Sequence, residues 1–119
     1  MQKRVDVERH GQTAIVTLKE RLDILAASEL MQTFTSLLEV GATEFIVDLT
    51  AVRVVTPDAD YPLLHLLKGT QAVDGSVILV CPSDNPIRIF YEMMRLDTLF
   101  EMTVTLDEAL QQLVHPLEV

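Results

Sequence analysis

Three histidines, one cysteine and a short acidic run carry whatever chemistry this 119-residue chain has. His10, His65 and His115 lie far apart and show none of the close spacings by which metal ligands share one element. His65 sits among leucines and reads as a packed or half-exposed helix residue. Cys81 closes the apolar run Val77-Ile78-Leu79-Val80, where a cysteine behaves as a small core hydrophobe. A lone cysteine excludes an internal disulfide and a cysteine-based zinc site within one chain. It also points to a reducing compartment, the cytoplasm. The glycines at 11, 41, 69 and 75 compose neither a P-loop nor a dinucleotide motif.

The acidic run is Val55-Thr56-Pro57-Asp58-Ala59-Asp60, and it leads through Tyr61-Pro62 into Leu63-Leu64-His65-Leu66-Leu67. This pattern is a turn into a helix. A helix N-terminus offers unpaired N–H groups and a partial positive charge. A carboxylate at Asp58 is stabilised there, and an aspartate cap is worth about 1 kcal/mol over alanine. Pro62 has no N–H to donate, so it must fall in the first turn. That places the start of the helix at Asp58 to Asp60. Thr56 reads two ways, as a hydroxyl able to accept phosphate or as half of a Thr-Pro turn. An aspartyl-phosphate receiver would need an acidic pair for Mg²⁺ after an early strand and a lysine near the last one; the chain has neither. No catalytic set and no cofactor site emerges, and the chain is not read as an enzyme.

The elements that must position this segment follow from periodicity. Val5 and Val7 alternate with Asp6 and Glu8, and Thr13 to Leu18 puts Ala14, Val16 and Leu18 on one side. Joined by Arg9-His10-Gly11-Gln12, these runs read as an antiparallel hairpin. From Ser28 the period becomes helical, with Leu30, Met31, Phe34, Leu37 and Leu38 on one face and Gly41 past the end. Phe45 to Leu49 and Ser76 to Cys81 are continuous apolar runs, as expected of strands covered on both faces. Asn85-Pro86 is a cap with proline at the first helical position, and Ile87, Phe90, Tyr91 and Met94 mark a helical face. Met93-Met94 beside Phe90 and Tyr91 is either core or an adaptable contact surface. Met102 to Thr105 is a brief edge strand. Thr105 and Glu108 form a capping box for a last helix through Leu106, Ala109, Leu110, Leu113 and Val114, closed by Pro116. The order ββαβαβαβα implies an α/β sandwich with a mixed, mostly parallel sheet and right-handed crossovers.

Composition narrows the partners. Lys and Arg number 9 against 18 Asp and Glu, a net charge of −9, with 49% hydrophobic residues. Phosphate backbones and anionic bilayers both demand cations, so nucleic acid and direct membrane insertion are disfavoured. The chain opens Met1-Gln2-Lys3-Arg4-Val5-Asp6, without a hydrophobic leader. It reads as one folded unit over residues 1–119.

The motifs in their order resemble STAS domains. Arg21-Leu22-Asp23 followed by Ser28-Glu29-Leu30 looks like the family's GRLD…PEL signature, and Val47 to Val52 resembles LDLSGV. Residues 85–100 are similar to VRRVLELTGLDRLF, and Thr105 to Leu113 to a closing TLEEAL helix. The resemblance implies a regulatory protein-binding module of the anti-sigma factor antagonist type. Its partner would be an anti-sigma factor that is also a serine kinase-like ATPase, or another STAS protein, and a homodimer is compatible with it. In the family the second serine of DSSGL is phosphorylated at the start of the second helix. Aligned on Asp48-Leu49-Thr50, this chain has Asp58 at that serine, Thr56 at the Asp, Pro57 at the first Ser and Ala59 at the Gly. The expected switch segment is therefore Asp23, Thr56, Pro57, Asp58, Ala59 and Asp60, with Thr56 the displaced phospho-acceptor. Asp23, Asp58 and Asp60 would form an acidic patch that steers a basic partner. The alternative is a scaffold subunit of a stressosome-like assembly, or the STAS component of a lipid or anion transporter.

Overall fold

Period-2 alternation at the N-terminus folds as a hairpin in the computed structural model, which describes residues 4–57 and 60–113. Strand β1 (Val5–His10) pairs antiparallel with β2 (Thr13–Leu18), and Gly11 takes φ 61° in the two-residue loop. That left-handed value suits a residue without Cβ. The remaining elements are β3 (Glu20–Leu22), α1 (Ile24–Glu39), β4 (Glu44–Asp48), β5 (Val52–Val55), α2 (Tyr61–Gln71), β6 (Ser76–Val80), α3 (Pro86–Met93), β7 (Glu101–Thr103) and α4 (Leu106–Gln111).

The main sheet has the order β1-β2-β4-β6-β7, parallel from β2 onward. Each crossover steps one strand in the same direction, so right-handed connections place α1, α2 and α3 on one face. That face buries Ala14, Val16 and Leu18 of β2 with Leu30, Phe34, Leu63, Leu66 and Tyr91 of the helices. The other face packs Ile15, Ile46, Ile78 and Val80 against Ala109 of α4 and Leu113. Strands β4 and β6 are thus covered on both sides, and this is why Phe45 to Val47 and Val77 to Val80 read as unbroken apolar runs. Phe34 and Phe45 meet edge to face at 6.1 Å, seating α1 on the sheet.

Four features differ from expectation. The strands β3 and β5 form a separate two-stranded parallel ribbon, absent from the anticipated order. At three and four residues they are too short to show alternation. Helix α1 begins at Ile24, not Ser28. The Asp23 carboxylate accepts from Ala26 N at 3.0 Å, a side-chain cap, and the first turn leaves Ile24 and Leu25 exposed, off the apolar face. Met94 lies at the C-cap of α3 and is 57% exposed, so it leaves the buried face that Ile87 and Tyr91 occupy. The last helix ends at Gln111, with Leu113 beyond it; Val114, His115 and Pro116 lie outside the described residues.

The Asn85-Pro86 cap holds, and it does more than cap. Asn85 is buried; its Oδ1 accepts from Ile87 N at 2.8 Å, and its Nδ2 donates to the Leu49 carbonyl at 2.8 Å. It therefore joins the start of α3 to the end of β4. Asn85→Ala removes both bonds. The lost cap costs about 1 kcal/mol and the lost buried bond about another 1 kcal/mol. Urea unfolding will show a loss of about 2 kcal/mol with an unchanged m value, and Asn85→Asp, which keeps the cap acceptor but sets a buried carboxylate oxygen against the Leu49 carbonyl, will lose at least as much.

Candidate functional site

The ribbon brings the two expected loop segments side by side. Leu22 pairs with Val55, and one residue further the Thr56 amide donates to the Leu22 carbonyl at 3.0 Å. The Thr56 hydroxyl reaches the same carbonyl only at 3.5 Å. Asp23 thus sits one residue past the point where Thr56 closes the ribbon. Pro57 follows in an exposed turn. Asp58 and Ala59 lie outside the described residues. The chain is described again at Asp60, which holds the N-cap position of α2 with φ −83° and ψ −21° and no cap bond from its side chain. Helix α2 starts at Tyr61, one residue beyond the span set by Pro62, with only its N-cap Asp60 inside that span; Pro62 stands in the first turn and is buried.

Charge is distributed differently from a simple acidic patch. The Asp23 carboxylate caps α1 and lies 3.7 Å from Nη1 of Arg4, so its charge is largely answered within the fold. What the loop cluster presents to solvent is partly apolar. Ile24 is 67% exposed, Leu25 59% and Tyr61 38%. These three residues carried no functional signal in the sequence. Ile24 and Leu25 stood outside the expected helix, and nothing local distinguished Tyr61 from a core aromatic.

Beneath the cluster lie two groups with potential chemistry. Cys81 is fully buried at the end of β6. Burial pushes its thiol from 9.0 up to about 12, against the pull of Arg88 and with a smaller push from Asp48. A thiol held protonated is not a nucleophile at neutral pH. Tyr91 is also fully buried, and its hydroxyl has no hydrogen-bond partner among the described residues. Burial raises its phenol, with the Asp60 carboxylate and then Cys81 adding to the rise.

Neither of the two described histidines joins the site. His65 is exposed on α2, and His10 pairs with Glu8 at 3.0 Å on β1. Among the described residues, no group of three His, Cys, Asp or Glu side chains converges as metal ligands would. No helix among them is long and apolar enough to cross a membrane. The cluster is a partly apolar, solvent-facing surface over a packed core in which the Cys81 thiol stays protonated.

The raised thiol has a signed consequence. The unfolded chain ionises Cys81 above about pH 9 while the folded chain holds it neutral toward pH 12. Its contribution to stability is complete below pH 9 and is lost as pH rises through that window. Urea midpoints at pH 8 and pH 11 will fall further for the natural chain than for Cys81→Ala, and iodoacetamide will leave the native thiol unlabelled at pH 8.

Comparison with known proteins agrees with this geometry. The chain shares its fold with a Thermotoga maritima protein provisionally assigned as an anti-sigma factor antagonist, at 18% identity and a TM-score of 0.82, covering 93% of this chain and 95% of that one. An anti-sigma factor antagonist from Mycobacterium paratuberculosis superposes with a TM-score of 0.77 at 22% identity, covering 90% of each chain. The phosphorylated form of the Bacillus cell fate determinant SpoIIAA does so with a TM-score of 0.72 at 21% identity, covering 91% of this chain and 97% of that one. Among curated proteins, none matches the chain significantly in sequence. The family model for the STAS domain matches residues 4–109, nearly the whole described fold, and the chain belongs to that family.

Proposed function

We propose that this STAS domain regulates by contact, docking onto an anti-sigma factor of the serine kinase-like ATPase type and so controlling transcription in the cytoplasm without catalysing a reaction itself. The supporting observation is the ribbon. By pairing Leu22 with Val55 it holds the start of α1 and the segment leading into α2 at one place, with Ile24, Leu25 and Tyr61 turned to solvent. Exposed apolar side chains beside polar turns are the usual makings of a protein contact. SpoIIAA, whose fold this chain shares, has been solved in unphosphorylated and phosphorylated forms.

In this chain the family's phospho-acceptor position holds Asp58 by alignment. A carboxylate cannot be esterified by a serine kinase, and it carries a fixed single charge where phosphoserine would carry about −1.5 to −2. We infer a member that is locked at this position. The Thr56 hydroxyl, half-buried and directed at the Leu22 carbonyl, is the remaining acceptor in the segment. Incubation with the anti-sigma kinase of the same genome, ATP and Mg²⁺ will give a complex on gel filtration and an unchanged intact mass. Asp58→Ser will gain one phosphate at residue 58. Phosphate on Thr56 of the natural chain overturns the locked reading, and failure to form any complex overturns the docking.

A further inference from the structure

Tyr91 is wedged so that its hydroxyl has a fixed position and nothing to bond. Its ring lies between Phe90 and Phe100, at centroid distances of 6.0 and 5.7 Å. The side chain is 0% exposed, and the phenol oxygen has no hydrogen-bond partner among the described residues. Folded proteins seldom leave such a donor unpaired. A trapped water is a poor remedy, because it needs about two to four polar partners and the ring is flanked by aromatic side chains. An acceptor without a donor stands at the start of α2. Burial, then the Asp60 carboxylate and then the Cys81 thiol disfavour ionisation of the phenol, so Asp60 is the carboxylate that acts on it. Asp60 is the half-buried N-cap of α2. An N-cap carboxylate ordinarily sits on extended backbone and accepts from the amide two or three residues on. Here φ −83° and ψ −21° are helical, the residue two on is Pro62, which has no N–H, and the side chain makes no cap bond. Nor does Asp60 join an ion pair among the described residues.

We propose that Tyr91 and Asp60 are the two halves of an internal latch: in a second conformation of the chain, the first turn of α2 shifts until the Asp60 carboxylate accepts the Tyr91 hydroxyl. The ring cannot supply the movement, since it is held between two others. The Asp60 end can, since no cap bond fixes its side chain. The bond gained is charge-assisted, the stronger class. Against it stands the further desolvation of a carboxylate that is already half-buried. Opposed contributions of this kind give a minor state populated at about 0.1–10%. Latching draws the Asp60 charge inward and carries along Tyr61, the next residue, which is 38% exposed. The loop cluster therefore has two surface forms, and the latch selects between them. It is a property of the free chain and does not rest on the docking proposed for that cluster.

The test is ¹⁵N relaxation dispersion on the labelled full chain, which reads exchange on the microsecond-to-millisecond scale of such shifts. The expected result is one shared exchange process at the amides of Tyr61, Leu63, Leu64 and Tyr91. Tyr91→Phe keeps the ring and removes the donor. It will cut the minor population at least about tenfold, as the loss of one charge-assisted hydrogen bond requires, and flatten those profiles. Asp60→Ala will do the same from the acceptor side, and the two changes combined will do no more than either alone. In urea, Tyr91→Phe will unfold at a midpoint no lower than that of the natural chain, because the hydroxyl it removes is unpaired in the major state. Flat profiles in the natural chain, exchange that persists in Tyr91→Phe or in Asp60→Ala, or a lowered midpoint for Tyr91→Phe overturns the latch. So does a crystal structure of the natural chain in which an ordered water bonds the Tyr91 hydroxyl.

Discussion

The placement of the candidate site depends on one buried side chain. Asn85 donates to the Leu49 carbonyl and accepts from the Ile87 amide, while the Leu49 amide donates to Val80 at the end of β6. The carboxyl ends of the two central strands and the first turn of α3 are thereby fixed to one another. From that point the chain leaves the main sheet. Asp48 accepts from both the amide and the hydroxyl of Thr50, a local turn that redirects the backbone into β5 and onward to Thr56. The clamp stands at the root of the ribbon, which is held further by the pairing of β3 with β5 and by α3.

Burial in a sheet covered on both faces disfavours the charged form of a group, and Cys81 is accordingly held as a thiol. Tyr91 packs its ring between Phe90 and Phe100, at 6.0 and 5.7 Å, while its hydroxyl finds no partner among the described residues. At the rim the fold spends its charged side chains unevenly. Arg4 answers Asp23, Lys19 answers Asp6, and Arg9 donates to the Val40 carbonyl at the end of α1, while Arg21 and Arg53 form no ion pair among the described residues.

Much of this was legible in the sequence because burial on two faces leaves a plain mark. The runs Phe45 to Leu49 and Val77 to Val80, the helical spacing of Leu30, Phe34 and Leu38, and the Asn85-Pro86 cap all appear where chain pattern and packing agree. The ribbon was not legible, since β3 and β5 are held by each other and by α3 rather than by any periodicity of their own. The first turn of α1 was hidden for a related reason. Its apolar residues Ile24 and Leu25 face outward, so only the cap at Asp23 marks its start. The neighbourhood of Thr56 and Asp23 was reached through family resemblance; composition and spacing alone placed Thr56 before a helix and nothing more. Which arginines find a carboxylate could not be anticipated, because pairing is a property of three-dimensional neighbours.

Contact through the loop cluster is the central claim, and amide hydrogen exchange on the complex with the anti-sigma kinase addresses it most directly. Slowed exchange confined to residues 22–26 and 56–64, with the outer face of α1 around Thr35 and Glu39 unchanged, is the predicted outcome. Protection centred on that outer face, with the loop segments exchanging as in the free chain, would contradict the account.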